Sequence, residues 1–193
     1  MSVSYLPFTR PTLDEDTIQG VVEVLRSGWL ASGPRVQEFE QALAGYLGGG
    51  REVRVFTSAT GALETALRVC GIGVGDEVIV PAMTFAATAN VVPRVGARPV
   101  FVDVDLHTRN LDPARAEAAV TPRTRAIMPV HFAGLPVDMD ALYDLAQRRG
   151  LRVIEDAAHA IGSAWRGRKI GSFGDVVSFS FHCTLSLHDA LPI

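Results

Sequence analysis

An α/β fold, with a mostly parallel sheet covered by helices on both faces as a three-layer sandwich, follows from two features of this 193-residue chain. From residue 51 onward, short apolar runs alternate with amphipathic stretches of helical period. The runs are apolar on both sides, as strands must be when both faces of their sheet are buried.

The elements can be justified in order. Residues 1–50 read as a helical N-terminal arm. Asp14 caps a helix whose Ile18, Val21, Val22 and Leu25 share one face, and Gly28 suits its end. A second amphipathic run carries Val36, Phe39, Leu43 and Leu47. Candidate strands then fall at 53–57, 77–81, 99–103, 125–130, 152–155 and 176–181. Among the helices between them, Asp112 and Pro113 supply a cap and first turn before 114–120, and residues 139–149 run up to Gly150. No internal repeat, low-complexity tract or flexible linker interrupts residues 51–183, which therefore read as one α/β domain.

Composition narrows the function classes. The chain is 48% hydrophobic with a net charge of −3, and its basic residues are scattered. It thus offers no footprint for nucleic acid or an anionic membrane surface. No run approaches the roughly 18 apolar residues of a membrane span, and Met1 to Pro7 has neither a basic start nor an apolar signal core. Cys70 and Cys183 stand far apart without metal-ligand spacing, which points to a reducing, cytoplasmic compartment.

In a parallel sheet, ligands bind at the carboxyl ends of the strands, so the residues that follow each strand carry the chemistry. After the first candidate strand, Ser58-Ala59-Thr60-Gly61 opens a helix, where free N–H groups and the helix dipole favour a phosphate. Ordinary capping by Ser58 or Thr60 accounts for the same residues. Phe85, after the second strand, suits either a planar ring stacked on its face or the core. The fifth strand delivers Glu155 and Asp156, which alternation sends to opposite faces, followed by His159. Asp156 could pair with a protonated ring nitrogen and His159 could reach a second ring substituent. A turn-capping carboxylate and a surface histidine are the alternative. A metal site lacks a third and fourth ligand. Ser178 and Ser180 share a face of the sixth strand, where a buried hydroxyl needs a partner such as a phosphate oxygen or a backbone carbonyl. His131, also after a strand, reads as structural. Together these residues suit a phosphorylated planar cofactor with a basic ring nitrogen.

The chain resembles the DegT/DnrJ/StrS family of pyridoxal-phosphate sugar aminotransferases. The resemblance runs from about Leu6 to Phe181. It is carried by Pro7-Phe8-Thr9-Arg10-Pro11, Ser27-Gly28-Trp29-Leu30-Ala31-Ser32-Gly33-Pro34, Gly73-Val74-Gly75-Asp76-Glu77-Val78-Ile79-Val80-Pro81 and Thr84-Phe85-Ala86-Ala87-Thr88-Ala89-Asn90. Further on come Pro129-Val130-His131, Glu155-Asp156-Ala157-Ala158-His159-Ala160 and Gly171-Ser172-Phe173-Gly174-Asp175. It implies the large domain of fold type I pyridoxal-phosphate (PLP) transferases, with pyridoxal 5′-phosphate as cofactor. Thr60, Gly61 and Ser180 would then hold the phosphate and Phe85 would stack on the ring. Asp156 would pair with the ring nitrogen, and His159 would contact the cofactor face or its phenolic oxygen. It also implies a homodimer that takes a nucleotide-linked keto-sugar and an amino-acid donor, glutamate or glutamine. A sugar dehydratase of the same family and a non-catalytic homologue are the alternatives. One departure is Ser58-Ala59-Thr60-Gly61, where the family has serine-glycine-threonine-alanine.

The second departure lies at the end of the chain. The family's Schiff-base lysine belongs at position 185, where this sequence has Leu185. Thr184-Leu185-Ser186-Leu187-His188-Asp189-Ala190-Leu191-Pro192-Ile193 is what the string ACTCTTTCCCTACACGACGCTCTTCCGATC encodes, the end of a short-read library adapter. Residues 184–193 are therefore expected to be an artefact. The chain would then stop before the antiparallel strand that follows the lysine and before the small C-terminal domain.

Overall fold

The structure is a computed structural model that describes residues 12–182. The described residues divide into two compact units, one of residues 12–55 together with His182, the other Phe56–Phe181.

In the first unit, α1 spans Glu15–Ser27 and α2 spans Pro34–Tyr46. The Asp14 carboxylate accepts from the Thr17 N–H at 2.8 Å, which satisfies one of the donors that every helix start leaves free. Gly28, at φ 76°, ends the helix in a left-handed conformation that costs glycine least.

The second unit holds α3 (Ala59–Val69), β1 (Glu77–Pro81), α4 (Ala86–Arg94), β2 (Arg98–Val102), α5 (Pro113–Ala118), β3 (Thr124–Ile127), α6 (Met139–Arg149), β4 (Arg152–Asp156), β5 (Ala164–Trp165), β6 (Arg168–Lys169) and β7 (Val176–Ser178). Five of the strands form one sheet in the order β2-β1-β3-β4-β7, and every pairing in it is parallel. A separate antiparallel hairpin, β5–β6, has no counterpart in the sequence reading. Its strands are two residues long, too short to show periodicity.

Alternation along the strands sorts the core into two layers. Val78, Val80, Ala126 and Ile154 pack with Leu63 and Leu67 of α3 and with Val91 and Val92 of α4. Ile79, Ile127 and Val153 pack with Ala116 of α5 and with Leu142 and Leu145 of α6. Each fully buried leucine contributes about 1.5–3 kcal/mol relative to exposure. The three-layer reading and the mostly parallel sheet hold.

Three expected strands change. Residues 53–57 form no strand: no neighbouring strand pairs with them among the described residues, and the Val55 N–H donates to Glu40 Oε1 at 2.9 Å instead. The strand expected at 125–130 ends at Ile127, because Pro129 has no N–H to continue the ladder; Val130 rejoins it only as an isolated bridge to Asp156. The strand expected at 176–181 ends at Ser178, whose partner Asp156 is the last residue of β4. Residues 7–11, Cys183, and the tail 184–193 with Leu185 lie outside the described residues. No helix among the described residues is long and apolar enough to cross a membrane.

Candidate active site

The carboxyl end of β4 brings two acids to adjacent positions on opposite faces. Ile154, two residues before Asp156, packs in the α3–α4 layer, whereas Val153 and Ala157, two residues either side of Glu155, pack in the α5–α6 layer. Asp156 therefore faces the first layer and Glu155 the second. The backbone there is clamped: the Asp156 N–H donates to Pro129 O at 2.9 Å, His131 N–H to Asp156 O at 3.1 Å, and Ala157 N–H to Ser178 O at 2.8 Å.

Asp156 is 6% exposed. Thr88 Oγ1 donates to its Oδ2 at 2.6 Å, and the Ala158 N–H donates to its Oδ1 at 3.2 Å. Thr88 Oγ1 also lies 2.7 Å from Thr84 Oγ1. A hydroxyl has one proton, and Thr88 spends its own on the carboxylate. Thr84 must therefore donate to Thr88, which gives a directed chain from Thr84 through Thr88 to Asp156. No cation pairs with this carboxylate among the described residues, although a buried charge without one is costly.

Glu155 is fully buried and self-contained. Tyr143 donates to its Oε1 at 2.5 Å, and His131 Nε2 lies 2.9 Å from its Oε2. The Val137 N–H donates to His131 Nδ1 at 3.2 Å, so the ring proton sits on Nε2 and is donated to Glu155. Burial first, and then the Glu155 charge, pushes the Tyr143 phenol well above its usual range. Gly174 closes the cluster. At φ 93° it occupies a left-handed conformation, and a Cβ there would collide with Glu155 Oε1 and the Tyr143 hydroxyl. Asp175, next in the chain, takes a two-pronged hydrogen bond from Arg152 at 2.6 and 2.7 Å and ties the start of β7 to β4. Glu155 is thus satisfied by neutral donors. His131 is structural, as read.

The remaining sequence-predicted residues surround the Asp156 side. Ser58, rather than Thr60, caps α3, accepting from the Gly61 N–H at 3.1 Å. Helix geometry leaves the N–H groups of Ala59 and Thr60 without an intrahelical acceptor. Phe85, immediately before α4, is 78% exposed, so it is not a core residue. His159 is half-buried in the turn after β4, where a Cβ on Gly134 would come within 3.0 Å of its carbonyl oxygen. Ser180 follows β7, half-buried. By alternation it shares a face with Ser178, whose buried Oγ has no partner. Helix α3 packs over both β4 and β7, and α4 lies against α3. Thr88 and Asp156 bring the start of α4 to the end of β4, and the pairing of Asp156 with Ser178 places the end of β7 beside it, with α3 packed over both strands.

A phosphorylated, cationic, planar ligand fits these groups. A helix start with two spare N–H groups could hold the phosphate, the exposed Phe85 could take a ring face, and Asp156 could accept from a ring N–H⁺. Sequence reasoning missed Thr84, Thr88 and Tyr143. The i, i+4 spacing of the two threonines just after a strand end was the available signal.

The sequence pattern of the DegT/DnrJ/EryC1/StrS aminotransferase family matches residues 11–188. The chain is 50% identical over 183 residues to the spore coat polysaccharide biosynthesis protein SpsC of Bacillus subtilis, covering 95% of this chain and 47% of SpsC. The structure superposes on Spr1654 of Streptococcus pneumoniae in its pyridoxamine-phosphate (PMP) form with a TM-score of 0.87 at 40% identity, covering 92% of this chain and 48% of that one. Spr1654 is also solved in its PLP form. DesI, solved in the presence of its TDP-sugar product, superposes with a TM-score of 0.80 at 45% identity, covering 86% of this chain and 42% of that one. The chain spans about half the length of these relatives. Its fold is that of fold type I PLP aminotransferases, pyridoxal phosphate is the cofactor these relatives imply, and the chain belongs to the DegT/DnrJ/EryC1/StrS aminotransferase family.

Proposed function

We propose that the parent protein is a PLP-dependent aminotransferase that moves an amino group from glutamate or glutamine to a keto-sugar linked to a nucleotide, as a cytoplasmic homodimer. The observation that carries this reading is the Asp156 carboxylate, 6% exposed, with neutral donors and no cation among the described residues. The TDP-sugar product held by DesI supports the substrate class.

Each residue has a role in this reading. The Thr60 hydroxyl, the spare N–H groups of Ala59 and Thr60 and the Ser180 hydroxyl would bind the phosphate at the start of α3, the expected Gly61 N–H being taken by Ser58 Oγ. Phe85 lies against the ring. Asp156 would hold a proton on the ring nitrogen, and His159 would contact the cofactor face or its phenolic oxygen. When bound, the cofactor supplies an electron sink for the substrate carbon. Moving a proton at that carbon requires an amine, and the resemblance puts a lysine at 185. Leu185 has no titratable group, so the sequence as written lacks the amine that turnover requires.

The test is to read the source DNA across and beyond codon 183, then assay the protein it encodes with a TDP-linked keto-sugar and glutamate. A lysine at 185, with amino sugar and 2-oxoglutarate released together, is the expected result. A histidine at 185 would move the assignment to a dehydratase. A genuine Leu185 would leave a non-catalytic homologue.

A further inference from the structure

We infer that Thr88 is a positioning residue for the reaction: its hydroxyl, oriented by Thr84, fixes the Asp156 carboxylate so that one oxygen lone pair remains aimed at a cationic ring nitrogen. The inference rests on the proposed cofactor role of Asp156 and adds the device that makes it work.

Geometry supplies the argument. Thr88 is completely buried in the first turn of α4, and Asp156 ends β4, 68 residues further along the chain. Their 2.6 Å contact is the shorter of the two hydrogen bonds made by the carboxylate, the Ala158 N–H being at 3.2 Å. The long bond constrains the carboxylate weakly, so Thr88 is the group that sets its rotation about χ2. A carboxylate has about four lone-pair sites, and two donors leave capacity on both oxygens. The direction of the chain matters as well. Thr84 donates to Thr88, so the Thr88 proton cannot swing away from Asp156 without breaking a second hydrogen bond. The residue Phe85, whose side chain is 78% exposed, sits between the two threonines as the N-cap of α4. The helix start that presents the ring-facing side chain therefore also anchors the carboxylate, and the two are held in one fixed relation.

The experiment compares the purified chain with Asp156→Asn, Thr88→Val, Thr88→Ala and Thr88→Ser. Its probe is pyridoxamine phosphate labelled with ¹⁵N at the ring nitrogen, a form that needs no lysine. Affinity is read by fluorescence titration, and ring-nitrogen protonation by the pH dependence of the ¹⁵N shift. Removing the hydroxyl in Thr88→Val should weaken binding about five- to tenfold, the usual scale of one lost hydrogen bond. It should also lower the pH at which the bound ring nitrogen titrates, and Thr88→Ser should restore both. Thr88→Ala carries the same test if valine disturbs folding. If Asp156→Asn weakens binding while the Thr88 variants leave affinity and the ¹⁵N titration unchanged, the positioning role is wrong and the cofactor reading stands. If the parent chain does not bind the probe, or Asp156→Asn binds it equally well, both fall.

Discussion

Two buried carboxylates stand at opposite edges of the same sheet and have opposite surroundings. Glu77 opens β1 and is 1% exposed. Arg98 donates to its Oε1 at 2.6 Å, Arg123 to the same oxygen at 2.8 Å, and Thr121 to its Oε2 at 2.7 Å. Those hydrogen bonds, Arg98 first, draw its pKa down to about 2. Asp156 closes β4, nearly as buried, yet its donors are a hydroxyl and a backbone amide. The Glu77 charge is neutralised within the protein; that of Asp156 is stabilised but not neutralised. Under the proposed function, the contrast separates a carboxylate that holds the fold together from one kept ready for a cation that arrives with a ligand.

The most severe way to break this contrast is Asp156→Asn. Asparagine can still accept from Thr88 but cannot hold a proton on a ring nitrogen, and affinity for pyridoxamine phosphate should fall on the order of 100-fold. Its urea midpoint should stay close to that of the parent. A collapse in stability with affinity intact would place Asp156 in the same class as Glu77.

Tyr143→Phe sharpens the comparison from the other face of β4. It removes the donor to Glu155 Oε1 inside a closed cluster, and unfolding in urea should show a loss of about 1–3 kcal/mol. Affinity for pyridoxamine phosphate should stay within about twofold, because Glu155 points away from the proposed site. A large loss of affinity would show that the two faces are coupled.

Gly134→Ala tests the turn that supports His159. A left-handed φ of 82° and a Cβ 3.0 Å from the His159 carbonyl both oppose alanine, at a cost of about 1–3 kcal/mol, less if the turn shifts. Any such shift would move the His159 backbone, so pyridoxamine-phosphate binding should weaken modestly. Unchanged stability and binding would remove the turn from the site.

The last test is the pH signature of Glu77. Its folded pKa of about 2 lies below the ordinary 4.5, so its contribution to stability is fully present above pH 4.5 and is lost as pH falls through about 2. Thermal unfolding of Glu77→Gln should therefore show a lower midpoint than the parent at neutral pH. The gap should close across that window. A gap that persists below pH 2 would show that the pairing is not electrostatic.

Legibility in the sequence followed the range of the interaction. Asp14, Asp112 and Asp138 cap their helices through amides two to three residues away, so α1, α5 and α6 could be read from local spacing, as could the glycine ends at Gly28 and Gly150. Asp156, Phe85 and Ser180 were singled out because a parallel sheet puts its ligand at the strand ends. By itself the sequence determined the layer architecture, the edge of the sheet that carries the proposed site, and the opposite facing of Glu155 and Asp156. All three follow from periodicity and from short-range caps. The tertiary structure alone decided that residues 53–57 pair with no strand among the described residues, that neutral donors satisfy Glu155, and that Thr88 reaches Asp156 across 68 residues. A strand or a buried hydrogen bond exists only when its partner arrives, and the packing of α4 on α3, β1 and β2 and of α6 on β4 brings those partners together.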